Sequence, residues 1–257
     1  MGTRFELAIV TDESTTMNCA AIGESALREI EEWHQRLTRF EPDSWLSFVN
    51  RIAAHEPVRL DDEMWPLFVD AMEVWRDSGG AFDITRGAGA ALELDRDAHT
   101  LRFCAGGDER VSLDMGAIGK GHALDCAAAS LRSHGVTGAL LQGGTSSGVA
   151  IGRPPEASAW RIGVTSGTTG TRVDDVLELV DASFSISDEA SQPDAPFGRH
   201  IVDPRVATEV APARAARRVV VTGPSARLAD AWSTALVVLG EIPPAFPAGY
   251  AARFLTK

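Results

Sequence analysis

No apolar run among the 257 residues approaches the length of a membrane-spanning helix, so a transmembrane segment is excluded. Basic side chains are in short supply: 24 Lys and Arg stand against 36 Asp and Glu, a net charge of −12. That balance argues against non-specific nucleic-acid binding, which depends on neutralising phosphates with Lys and Arg. It also requires any anionic ligand to be met by local positive groups or by a metal. Cysteine is scarce as well. Cys19, Cys104 and Cys126 are odd in number, widely spaced and without a metal-ligand pattern, so they read as reduced thiols. The first residues, MGTRFELAI, lack a basic segment followed by an apolar export region. Together these features point to a cytoplasmic protein. Internal repeats and low-complexity linkers are missing too, which favours one domain over residues 1–257.

What is present suits a globular chain, with 44% hydrophobic residues and enough length for a sizeable core. Phe5, Leu7 and Ile9 alternate as in a half-buried strand. Leu27, Ile30, Trp33 and Leu37 predict a helix over 24–39, and an apolar stripe from Met64 to Trp75 predicts another over 61–78. Two short strands are expected within 92–104, a helix over 121–134, and a buried strand at GALL, 138–141. Further strands are expected at 148–152, 160–164, 176–180, 199–203 and 218–222, with a hairpin tip at 165–171. The strand at 218–222 is the last expected, and a helix over 225–239 follows it. The order predicts an α+β fold of mostly antiparallel strands with helices on one side.

Four patches carry residues suited to chemistry. GGAFDITRG, 79–87, offers a backbone free to approach a ligand, the Phe82 ring and the Asp83 carboxylate, but read alone it better fits a helix end followed by a strand. LDMGAIGKGHALD, 113–125, places Asp114 at a strand end and Lys120 just before a helix N-terminus, where anions are favoured. Its glycine spacing fits neither a P-loop nor a dinucleotide fingerprint. RHIVDPR, 199–205, sets His200 beside Asp203 and two arginines, which suits acid–base or phosphate chemistry and also a locally satisfied turn. In ADAWSTAL, 229–236, Asp230 and Thr234 stand one helical turn apart. Such oxygens suit Mg²⁺, although a threonine bonded back to the carbonyl one turn earlier is equally ordinary.

In content and order these segments resemble the ApbE family, the FAD:protein FMN transferases. The matching stretches are MGTRFELAI, RLTRFEPDSWLSFVNR, GGAFDITRG, LDMGAIGKGHALD, LLQGG, HIVDPR and ADAWSTALVVLG. The resemblance implies a T-fold-related α+β domain that binds FAD and uses Mg²⁺ or another divalent cation to break its pyrophosphate. The FMN half passes to a threonine hydroxyl of an acceptor flavoprotein, and AMP leaves; hydrolysis of FAD, or FAD binding without turnover, are the alternatives. Carried over by position, it implies a metal held by Asp230, Thr234 and the Ala117 carbonyl. It further implies FAD contacts from Met1, Phe40, Ala81, Phe82, Asp83, Asp114 and Lys120, and assistance from His200 in deprotonating the attacking hydroxyl. Glycines 116, 119 and 121 are expected to let main chain approach the diphosphate. The chain departs from the family pattern at Trp45, at Thr145 where an aspartate is usual, across SISDEAS at 185–191, and at Val206-Ala207. The changes at 145 and 187–188 are expected to bear on the acceptor.

Overall fold

The computed structural model describes residues 3–11, 18–104, 111–166, 172–188, 201–206, 208–209 and 218–255. Among these, the first half contains β1 (Phe5–Ile9), α1 (Cys19–Leu37), α2 (Trp45–Ile52), β2 (Val58–Arg59) and α3 (Met64–Asp77). A 3₁₀ turn at Gly89–Ala91 leads into β3 (Leu92–Asp95), β4 (Thr100–Phe103) and α4 (Gly119–Ser133). Then come β5 (Ala139–Gly143), β6 (Ser147–Ile151), β7 (Trp160–Ser166), β8 (Arg172–Leu179) and β9 (Ala182–Asp188). The chain closes with β10 (Val202–Asp203), β11 (Thr208–Glu209), β12 (Arg218–Gly223), α5 (Ala226–Leu239) and β13 (Ala251–Leu255).

One six-stranded sheet, in the order β1-β5-β6-β9-β12-β13, organises the fold, and every pairing in it is antiparallel. Alternation along its strands sends side chains to two different cores. On β12, Val219 and Val221 join the main core with the helices, while Val220 points the other way. On that second face it meets Phe184 and Ile186 of β9 and the inward residues of the β7–β8 hairpin, Ile162, Val164, Leu177 and Leu179. The sheet is therefore covered on both sides, by helices on one and by a hairpin on the other. Small sheets β2-β4-β3 and β10-β11 complete the described structure.

Helix α5 is buried almost all round, from Ala226 to Val238, which is why it is apolar on every side rather than along one stripe. It packs on β9 and β12 on one side and on α4 and α3 on the other. Two polar residues, Asp230 and Ser233, are buried with it. Most predicted elements appear at or near their expected places, and Phe5, Leu7 and Ile9 do face the main core. Residues 111–115, where a strand was expected to end at Asp114, form no strand, and the expected strand over 199–203 and hairpin tip over 165–171 lie partly outside the described residues.

Besides the 3₁₀ turn, five elements were not expected, two of them the two-residue strands β2 and β11. α2 has only eight residues, started by Ser44, whose Oγ accepts from the Ser47 amide at 3.0 Å. β9 reads as polar because its alternation is Ser-Phe-Ser-Ile-Ser, with the hydroxyls turned toward α5. β13 is a mostly exposed edge strand, so 218–222 is not the last strand after all. The cysteines are free thiols, as expected. Among the described residues, no helix is long and apolar enough to cross a membrane.

Candidate active site

α4 and α5 meet near their N-termini, and each helix caps the other. The N-cap position of α4 is Ile118, which has no side chain to accept from the free amides of the first turn. Asp230, on α5, fills that role: its Oδ2 accepts from the Gly121 amide at 3.1 Å. In return Asp125, on α4, accepts from Ser225 Oγ (2.6 Å) and from the Ala226 and Arg227 amides (2.8 and 3.0 Å) at the start of α5. Burial pushes the Asp125 carboxyl above the usual carboxylate range, and those hydrogen bonds oppose the shift.

This exchange explains Gly121. A Cβ at that position would run into the Ala226 carbonyl, so its glycine serves helix packing rather than approach to a diphosphate. Gly119 has only ordinary contacts around it, so it is not needed for close approach within the protein.

Asp230 is 3% exposed, and both oxygens of its carboxylate accept hydrogen bonds. Oδ1 accepts from Lys120 Nζ at 2.8 Å and from Ser185 Oγ at 3.1 Å. Thr234 lies one turn on, its Oγ1 donating to the Asp230 carbonyl at 3.2 Å. Ala117 sits ahead of the α4 N-cap, so its carbonyl precedes the helical hydrogen-bond ladder. Lys120, Asp230 and Thr234 are thus brought together from positions far apart in sequence, with Ala117 three residues before the lysine. Among the described residues no group of three or more His, Cys, Asp or Glu is placed to hold a metal ion. One carboxylate, one hydroxyl and one carbonyl form a hard-oxygen donor set, which fits Mg²⁺ and its habit of taking few protein ligands.

A second group lies around Asp114. Its Oδ1 accepts from the Gly116 amide at 2.9 Å, and its Oδ2 pairs with Arg39 Nε at 3.0 Å. The Arg39 guanidinium lies 4.6 Å from the Phe40 ring centre, and Phe40 is 68% exposed. An exposed ring backed by a cation offers a platform to a flat ligand. Asn50 on α2 fixes the approach to Asp114 by giving Leu113 both partners a strand would supply, at 2.7 and 3.1 Å. The Asp114 amide in turn donates to the Ile84 carbonyl at 2.7 Å.

The loop at 79–89 is rigid for local reasons. Asp83 accepts from the Thr85 amide and hydroxyl (2.7 and 2.6 Å) and from the Gly87 and Gly89 amides, both at 3.0 Å. Its carboxylate is turned onto its own loop. Phe82 is 2% exposed, a core ring rather than an open face, and Ala81 packs with Val238. At Gly87, φ is +125° and a Cβ would sit 2.9 Å from the Pro204 carbonyl, so this loop is seated on the Asp-Pro turn. That turn is held by Arg205, whose Nε and Nη2 bond Asp203 at 2.9 and 2.7 Å and hold its carboxyl below the usual range. Met1 and His200 lie outside the described residues.

Sequence reasoning gave no role to Arg39, Asn50, Asp125, Ser185 or Ser233, and tied Ser187 only to the acceptor. Of the departures, Asp188 pairs across strands with Arg218 on the hairpin side of the sheet, away from Asp230. Thr145 is exposed in the β5–β6 turn.

A family model described as the ApbE family matches residues 1–92 and 89–245. A curated FAD:protein FMN transferase of Rhodobacter capsulatus is 30% identical over 184 residues, or 70% of this chain. The match spans 34% of that relative's length. Among solved structures, the apo flavinyl transferase ApbE of Pseudomonas stutzeri matches with a TM-score of 0.78 at 24% identity, over 98% of this chain and 87% of that one. The flavin transferase ApbE of Vibrio cholerae matches with a TM-score of 0.77 at 20% identity, over 93% and 84%. At such identities the structural likeness concerns the fold.

Proposed function

Because the chain belongs to the ApbE family, we propose that it transfers the FMN moiety of FAD to a threonine hydroxyl of an acceptor flavoprotein and releases AMP. The observation that carries this reading is the meeting of Lys120, Asp230 and Thr234 at the crossed N-termini of α4 and α5. A pyrophosphate would be repelled by a chain of net charge −12 unless positive charge met it locally. Lys120 supplies one such charge, and a bound cation would supply the rest.

Asp230, Thr234 and the Ala117 carbonyl would hold Mg²⁺ or another divalent cation. When bound, the cation neutralises charge on the phosphoryl oxygens and on the departing AMP. Phe40, with Arg39 behind it, offers the flavin a face, and Asp114 holds Arg39 in place. Ala81 and Phe82 support the neighbouring wall from within the core, and Asp83 sets the loop that carries it. Met1 is assigned to the FAD site by the family resemblance alone. In the reaction the threonine oxygen bonds to the FMN phosphorus, and the bond from that phosphorus to the bridging oxygen breaks. AMP leaves with the electron pair. The hydroxyl proton goes to His200, a role that also rests on the resemblance. On this reading residues 1–257 act as one transferase domain.

Incubation with FAD, Mg²⁺ and a threonine-bearing acceptor is expected to add an FMN-sized mass to the acceptor. Asp230→Ala should slow labelling by at least about a hundredfold. Equal labelling by that variant would overturn the assignment of Asp230, and release of FMN and AMP without labelling would identify a hydrolase instead.

A further inference from the structure

The inward face of β9 is chemically odd for a strand packed on a buried helix. Ser183, Ser185 and Ser187 occupy positions where alanine would pack without any polar group to satisfy. Ser183 is accounted for locally, donating to the Gly223 carbonyl of the adjacent strand at 2.7 Å. The other two join Ser233 of α5 in a row of hydroxyls. Ser187 Oγ lies 2.8 Å from Ser233 Oγ, Ser233 Oγ lies 3.2 Å from Ser185 Oγ, and Ser185 Oγ lies 3.1 Å from Asp230 Oδ1. Ser185 and Ser233 are completely buried. Ser187 is half-buried beside Thr234, with 3.4 Å between their oxygens.

Each hydroxyl has one proton, and the row ends on a carboxylate that can only accept. The direction follows. Ser185 donates to Asp230, Ser233 donates toward Ser185 and the Asp230 carbonyl (3.0 Å), and Ser187 donates to Ser233. The Thr234 proton is likewise directed inward, to the Asp230 carbonyl. Every hydroxyl proton in the cluster therefore has an acceptor within it, and none is left over to face a cation.

We infer that Ser185, Ser233 and Ser187 are positioning residues that hold Asp230 and Thr234 with lone pairs, not protons, toward a divalent cation. This rests on the cation site in the function proposed above. Outer hydrogen bonds of this kind orient metal ligands, and their loss typically weakens metal binding roughly 10–100-fold.

The test uses the intact chain, Mn²⁺ as the probe, and ADP as the pyrophosphate-bearing half of FAD that carries no flavin to transfer. Bound Mn²⁺ is read from loss of the free-ion EPR signal, alongside the circular dichroism melting curve of each variant. Ser187→Ala and Ser185→Ala are expected to weaken Mn²⁺ binding roughly tenfold or more, whereas Ser187→Thr, which keeps the hydroxyl, should bind within about threefold of the parent. Should Ser185→Ala fail to fold, Ser187→Ala at the open end of the row decides the matter. Unchanged Mn²⁺ affinity in folded Ser187→Ala overturns the inference while leaving the cation site intact. A parent protein that takes up no more Mn²⁺ than Asp230→Ala overturns the cation site itself, and this inference with it.

Discussion

Gly121 lies where α4 passes over the first residue of α5, and the space its side chain would need is taken by the Ala226 carbonyl. Backbone on both sides leaves little to give way. Gly121→Ala is therefore expected to destabilise the protein by about 2–3 kcal/mol, the cost of overpacking a rigid contact. Gly119→Ala is the matched control. Its nearest neighbours, Leu37 Cδ1 and Met115 Cβ, would sit at 3.4 and 3.6 Å, an ordinary contact. Alanine also favours the helix over glycine by up to about 1 kcal/mol, so that variant should be neutral or slightly more stable. Urea unfolding of the two variants checks the contrast. A stable Gly121→Ala that fails only to bind FAD would return this glycine to the ligand.

Between elements, the reciprocal capping of α4 and α5 determines where the site lies. Asp125 satisfies two backbone amides and the Ser225 hydroxyl at the start of the most buried helix in the described fold. Asp125→Ala leaves those donors facing a protein interior, and is expected to cost about 2–4 kcal/mol. Asp125→Asn, which keeps one accepting oxygen, should lose less; equilibrium unfolding in urea measures both. An equal loss for the two would mean that charge, not hydrogen bonding, is what the helix end requires. Sequence pattern revealed the elements with one clean apolar face, such as α1 and α3, because their periodicity is local. It missed α2 for shortness, β9 because serines replace the apolar residues on its inward face, and β13 because an exposed edge shows little alternation. The site divides in the same way. Asp230 and Thr234 are one turn apart, so their shared face was readable directly. The approach of Lys120 to Asp230 spans 110 positions, and nothing in local spacing encodes it. Asp83 and Phe82 looked like ligand contacts because loop glycines announce a special backbone, but that backbone is held by Asp83 itself.

On the scale of the whole molecule, acid should unfold the chain through a buried imidazole. His122 is 1% exposed, packed edge-on against Trp33 at 4.2 Å, with Arg227 Nη1 3.1 Å from Nδ1 and Cys126 Sγ 3.8 Å from Nε2. A guanidinium can only donate, so Nδ1 is the acceptor and the proton resides on Nε2. Burial, reinforced by the Arg227 and Arg36 charges and opposed only by Asp61, pushes the imidazole from 6.5 down to about 3. The unfolded chain thus takes up a proton below pH 6.5 that the folded protein refuses until about pH 3. The stability involved is fully present above pH 6.5 and drains away through that window. The slope is at most about 1.4 kcal/mol per pH unit, and the sum approaches roughly 5 kcal/mol, comparable with the whole stability of a small domain. Two other effects run the opposite way: Asp125, with its raised pKa, gains a proton more readily when folded, and acid relieves self-repulsion in a chain of net charge −12. A fall in stability below pH 6.5 therefore cannot come from net charge. Urea unfolding from pH 7.5 to 4 should show the decline, while the His122 ring resonances stay those of a neutral Nε2–H imidazole down to about pH 4. A His122 that titrates near its ordinary value in the folded protein would remove the cause, and the acid sensitivity would then have to be sought among the carboxylates.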